Sequence, residues 1–110
     1  MNYLVSIFLL AGAASVISDN VHARDLKQGK AKVEAVCQTC HGMNGIGTVA
    51  GVPNLAGQKE DYIIIQLQAY RASRRQHPQM SIIAQMLSNE DINNVAAWYS
   101  SIKVSLELPE

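Results

Sequence analysis

The five residues Cys37-Gln38-Thr39-Cys40-His41 constrain this chain more than any other stretch. They read C-x-x-C-H, the attachment signature of a covalently bound c-type haem. The spacing follows from the chemistry. Two thiols three residues apart lie on one side of a helical turn, so each can add to one vinyl group of a porphyrin. The histidine comes immediately afterwards, which directs its imidazole at the iron from the proximal side. The chain contains two cysteines, and the motif uses both.

Two other chemistries share part of the pattern. A structural zinc site usually takes four Cys or His ligands. Here His41 and His77 would have to complete it, at a spacing that matches no zinc signature. A redox-active C-x-x-C pair is expected beside a βαβ pattern, and none is visible. The haem reading is preferred to both.

Met1 to Ala23 reads as a secretory signal peptide. Leu4 to Ile17 is an almost unbroken run of apolar and small residues, and Val21-His22-Ala23 offers the residues a signal peptidase reads. Cleavage is therefore expected before Arg24. The opening Met-Asn-Tyr departs from the usual pattern in having no Lys or Arg. A retained anchor is the competing reading. Against it, the apolar run is 14 residues, where a spanning helix needs roughly 20, and no basic cluster follows. The expected organisation is a signal peptide over 1–23 and one domain over 24–110, exported, with no stable membrane insertion after cleavage. Export suits the motif, because bacteria attach c-type haem beyond the cytoplasmic membrane. Such compartments also oxidise paired free thiols, which counts against a thiolate zinc site.

Cleavage would leave 87 residues with nine Lys or Arg and eight Asp or Glu, a formal charge of +1. That balance is too near neutrality to imply nucleic acid or a membrane surface as partner. A chain this short has a limited core of its own, and the apolar face of a haem would add to it. A single motif implies one haem per chain.

Hydrophobic periodicity predicts three main helices. Asp25 to about Val36 carries Leu26, Gly29, Val33 and Val36 at helical spacing, with lysines mostly on the other side. Gly42 to Gly57 is a glycine-rich loop containing Pro53. Lys59 to about Arg75 has a wide apolar face from Tyr62 to Tyr70, and Pro78 prevents its continuation. Ser88 to about Ile102 opens on Ser88-Asn89-Glu90-Asp91, a capping box with Asp in the Glu position. No segment alternates as a strand would, so the fold class is all-α with long loops. Arg71, Arg74 and Arg75 make a basic helix end, read as a solvated face or, more sharply, a propionate contact or docking patch. His77 reads as a solvated loop residue.

A six-coordinate electron-transfer haem needs a second axial ligand, commonly a methionine sulfur. Met43 lies two residues past His41 and cannot reach the opposite face. Met80, in the segment after Pro78, is the preferred candidate. Met86 comes next, and His77 or an open position also stand.

With these residues in hand, the chain resembles the class I cytochromes c over Asp25 to Ile102, and in particular a small bacterial branch that includes dihaem proteins with two such halves. Gly29, eight residues before Cys37, matches the family glycine at the contact of the first and last helices. Trp98, in Ala96-Ala97-Trp98-Tyr99, matches the aromatic over that glycine, where tyrosine or phenylalanine is more usual. Pro53, twelve residues after His41, matches the proline whose carbonyl accepts the proximal histidine Nδ1–H. Asn54-Leu55-Ala56-Gly57-Gln58 is similar too, and Met80 stands at the family's distance from Leu87-Ser88. The resemblance implies the cytochrome c fold, with three main helices and long loops wrapped around one covalent haem c. Cys37 and Cys40 would carry the haem, and His41 and Met80 would be the axial ligands. It implies a periplasmic single-electron carrier, not an enzyme, with redox proteins as donor and acceptor. An electron-accepting subunit of a periplasmic dehydrogenase, and a haem protein with an open or labile distal site, are the alternatives.

Overall fold

The computed structural model describes residues 24–110. The expected signal peptide, Met1 to Ala23, lies outside the described residues. The first element of the described residues is α1, Leu26–Lys32, where the Asp25 carboxylate accepts the backbone N–H groups of Lys27 and Gln28. Helix continues without a break through a π-helical turn, Val33–Cys37, into α2, Gln38–His41. The sequence predicts an ordinary α-helix to Val36. Instead the winding loosens just before the motif, and the N–H of Gln38 reaches back five residues to the Val33 carbonyl. Such π turns recur at functional positions in helices.

After the glycine-rich loop comes α3, Glu60–Arg71, with Glu60 and Asp61 in its first turn, where acids complement the helix dipole. It stops four residues short of the expected Arg75. Ser73 takes a left-handed φ of 60°. The N–H of Arg74 then bonds the Ala69 carbonyl at 2.9 Å and that of Ser73 bonds the Tyr70 carbonyl at 3.2 Å. This is a Schellman ending with serine where glycine usually stands.

A fourth helix, α4 (Met80–Gln85), occupies part of what reads as loop. Last comes α5, Asn89–Ser101, whose capping box is present: the Ser88 hydroxyl accepts the Asp91 N–H and the Asp91 carboxylate accepts the Ser88 N–H, each at 3.0 Å. Among the described residues there is no strand, so the all-α class holds.

The core lies where α1 and the π turn cross α5 and where α3 packs on the same helix. Val33, Ile63, Leu67, Leu87, Ile92, Val95, Ala96 and Tyr99 form it. Burying each large apolar side chain contributes about 1.5–3 kcal/mol. Gly29 is buried at the crossing. A β-carbon there would overlap the Asn94 carbonyl oxygen and lie 3.4 Å from the Trp98 Cβ. Asn94 itself is buried, and its side-chain oxygen accepts the Asp25 N–H at 2.9 Å. The start of α1 is thus tied to the middle of α5 by a contact without side-chain thickness and by one internal hydrogen bond.

Candidate haem site

His41 is the last residue of α2, and Gly42, with φ 74°, turns the chain sharply away. The imidazole is buried, at 8% exposure. Its Nδ1 lies 2.9 Å from the Pro53 carbonyl oxygen. With Nδ1–H donating there, Nε2 keeps its lone pair, and the ring is oriented as a metal-ligating histidine requires.

The loop that supplies Pro53 folds back over the motif. The Gly45 carbonyl accepts the N–H groups of Leu55 at 2.7 Å and Ala56 at 3.0 Å. The Asn54 side-chain oxygen accepts the Gly47 N–H at 2.8 Å. Thr48 bonds the motif directly, its N–H donating to the Cys40 carbonyl at 2.9 Å and its hydroxyl to the Thr39 carbonyl at 2.7 Å.

Two further contacts have no precedent in the sequence reading. The Trp98 indole N–H donates to the Met43 carbonyl at 3.0 Å, and the Tyr99 hydroxyl donates to the Gly42 carbonyl at 2.9 Å. Neighbouring residues of α5 therefore grip the two residues that follow His41. Tyr99 is fully buried, and burial raises its phenol above the ordinary value. The available signal was chemical: the polar tip of a buried Tyr or Trp needs a partner.

Both thiols are free. Cys37 is part-buried, and burial pushes it up to about 11 against the opposing charge of Lys32. Cys40 is exposed. Among the described residues, no three His, Cys, Asp or Glu side chains are grouped to hold a metal ion. The zinc reading therefore has no ligand set there.

Met80 opens α4, is part-buried and packs against the core. Met43 packs there as well, whereas Met86 is 59% exposed. His77 is exposed, and its Nδ1 accepts the backbone N–H of Gln79 at 3.2 Å and of Met80 at 3.3 Å. Two of the three arginines are engaged internally. Arg71 bonds the Leu87 carbonyl at 2.9 Å and the Asn89 side chain, joining α3 to the start of α5. Arg75 stacks 4.7 Å over the Tyr70 ring and bonds Gln66. Arg74 is exposed in a shallow groove with Gln68, Arg71 and Ala72.

These residues fit a covalent haem. Two uncommitted thiols, a buried imidazole with Nδ1 occupied and Nε2 left over, and part-buried thioethers against an apolar core are the donors such a group requires. The comparisons agree. The family model for cytochrome c matches residues 26–103, and the chain belongs to that family, whose cofactor is haem c. Cytochrome c4 of Pseudomonas aeruginosa is 33% identical over 108 residues, covering 97% of this chain and 51% of the relative. Cytochrome c-554(548) of Halomonas halodenitrificans is 40% identical over 82 residues, 72% of this chain and 98% of the relative. A thiosulfate dehydrogenase electron acceptor of Stutzerimonas stutzeri is 41% identical over 95 residues, 80% of this chain and 44% of the relative. The structure of Acidithiobacillus ferrooxidans cytochrome c4 superposes with a TM-score of 0.66 at 36% identity, covering 74% of this chain and 51% of that one. The chain thus spans about half the length of the cytochrome c4 relatives it matches. Among the described residues, no helix is long and apolar enough to cross a membrane.

Proposed function

We propose that this protein is a periplasmic single-electron carrier with one haem c, held by thioether bonds from Cys37 and Cys40 and ligated by His41 and Met80. The observation that carries the reading is His41, buried and fixed by Pro53 beside two free thiols. When bound, the haem supplies a one-electron ferrous/ferric couple. The Pro53 carbonyl holds the imidazole orientation and raises its basicity. A neutral Met80 sulfur favours the reduced state and so raises the potential. With His41 and Met80 both ligating the iron, no position would be left there for a substrate, and the protein would act as a carrier rather than an enzyme. Residues 24–110 act as one domain after removal of 1–23. Donor and acceptor are other redox proteins. The likeness to a thiosulfate dehydrogenase electron acceptor favours a second reading, in which the donor is a periplasmic dehydrogenase.

The test is attachment. Haem should stay with the polypeptide through denaturing electrophoresis of the periplasmic protein, whose intact mass should begin at Arg24. Cys37→Ala or Cys40→Ala should lower the holoprotein yield strongly. Haem that extracts freely into acid acetone overturns the proposal. Rapid carbon monoxide binding by the reduced parent would replace Met80 ligation with an open distal site.

A further inference from the structure

The turn before α4 is built differently from the starts of α1 and α5. Asp25 begins α1 and Ser88 begins α5, each by accepting backbone N–H groups from its own following turn. The residue before Met80 is Gln79, whose side chain makes no such bond. The first N–H groups of any helix lack partners inside it. Here His77 supplies them. Its Nδ1 accepts from Gln79 and Met80, at 3.2 Å and 3.3 Å, and its carbonyl accepts the Ser81 N–H at 3.0 Å. Ser81 answers with its hydroxyl oxygen, which accepts the His77 N–H at 3.0 Å. The exchange is reciprocal, as in a capping box, but an imidazole takes the place of a serine or aspartate. Pro78 lies inside the ring of bonds with its φ fixed by the pyrrolidine.

We infer that His77 is the positioning residue for Met80, holding the backbone from which the thioether reaches the iron. The inference rests on the reading of Met80 as the distal ligand. Bonds at a residue's own N–H restrict where its Cα and Cβ point. Met80 receives one such bond directly, and it sits between the two partners of the His77–Ser81 exchange. Among the described residues, no other side chain accepts the N–H groups of Gln79 and Met80.

A role in positioning makes a claim that a purely structural role does not: loss of the bond should reach the iron before it reaches the fold. The test uses the holoprotein and four variants: His77→Ala, His77→Asn, Ser81→Ala and Met80→Ala. The readouts are the near-infrared sulfur-to-iron charge-transfer band of the ferric protein, the apparent affinity for added imidazole, and the denaturant midpoint. Loss of one or two net hydrogen bonds from the ligated state should let imidazole displace the thioether about three- to tenfold more readily in His77→Ala, with a weakened band. The midpoint should move little. Asparagine keeps a short acceptor able to bond backbone two or three residues on, so His77→Asn should recover most of the parent behaviour. Ser81→Ala should fall between parent and His77→Ala.

A band lost in Met80→Ala but unchanged in His77→Ala, with parent imidazole affinity, overturns the positioning role while leaving the ligand reading intact. A band that survives Met80→Ala overturns the ligand reading, and the inference falls with it. Should His77→Ala yield no holoprotein, Ser81→Ala and His77→Asn decide. Parent affinity in Ser81→Ala together with failure of asparagine to support the band overturns the inference.

Discussion

On the His41 side, the contacts that fix the site span long stretches of chain. Tyr99 bonds Gly42, Trp98 bonds Met43, and Asn94 bonds Asp25, over sequence separations of 57, 55 and 69 residues. On the Met80 side, the side chain packs against the core, but the hydrogen bonds that hold its turn are local. His77 bonds Gln79, Met80 and Ser81 at separations of 2, 3 and 4 residues. The first set forms only when the first and last helices have met, so the proximal arrangement is as stable as the global fold. The second set can open while the core stays intact, because sub-global openings draw on the contacts of their own segment. If Met80 ligates the iron as proposed, its thioether should exchange for another ligand at lower cost than the His41 imidazole.

The comparison is broken most readily at the helix crossing. Gly29→Val places a branched side chain where a β-carbon already overlaps the Asn94 carbonyl. Overpacking should cost about 1–3 kcal/mol, read as a lower denaturant midpoint of the holoprotein. The near-infrared band of the folded fraction should be unchanged, since the damage is global rather than at Met80. A parent midpoint would mean that α1 and α5 do not meet at Gly29. A midpoint that holds while the band fades would reverse the assignment of global and local sides.

A smaller effect is expected at Tyr99. Tyr99→Phe keeps the ring in the core and removes the hydroxyl that satisfies the Gly42 carbonyl. Leaving a buried acceptor unpaired costs about 1–3 kcal/mol, and water reaching the partly exposed Gly42 should keep the loss near the lower end. The fall in midpoint should again come without a change in imidazole affinity. Tyr99→Phe with parent stability would show that the clamp on Gly42 contributes no net energy.

What could be read from the sequence divides along the same line. The capping box of Ser88 and Asp91 and the apolar stripe of α5 are local patterns, and each is where the residues put it, while His41 meets the Pro53 carbonyl twelve residues on. Helix α4 is not legible in the sequence because Met80-Ser-Ile-Ile-Ala-Gln is too short to show a period, and its start carries a histidine rather than one of the usual capping residues. The end of α3 carries no sequence signal because serine, not glycine, takes the left-handed position at residue 73. The grip of Trp98 and Tyr99 on Gly42 and Met43 could not be located by period at all. Their apolar rings announce burial, but the carbonyls they meet are fixed only by the crossing of α1 and α5. The π turn before Cys37 is likewise invisible to a 3.6-residue pattern, since one looser turn shifts later positions without changing residue types.

The smallest predicted effect lies at the cap of α5, where a carboxylate is part of the cap, as the imidazole of His77 is at α4. Burial pushes the Asp91 carboxyl up. The Ser88 N–H and hydroxyl and the Lys32 ammonium, 3.2 Å away, outweigh that and hold it below the usual carboxylate range. A carboxyl with a lowered folded-state value stabilises the fold above its unfolded value, about 3.9. That contribution is lost as pH falls through the folded-state value. Asp91→Asn keeps an acceptor for the Ser88 N–H and removes the charge facing Lys32 and the N-terminal end of α5. The variant should be about 0.3–1 kcal/mol less stable at neutral pH, and the gap should close as pH falls below the carboxylate range. Imidazole affinity should match the parent at neutral pH, because the altered cap starts α5 and makes no bond to the Met80 turn. A stability gap that persists unchanged into acid would assign the loss to the altered hydrogen bond rather than to charge. A change in imidazole affinity would show that the two caps communicate, and the Met80 turn would then no longer count as a separately opening segment.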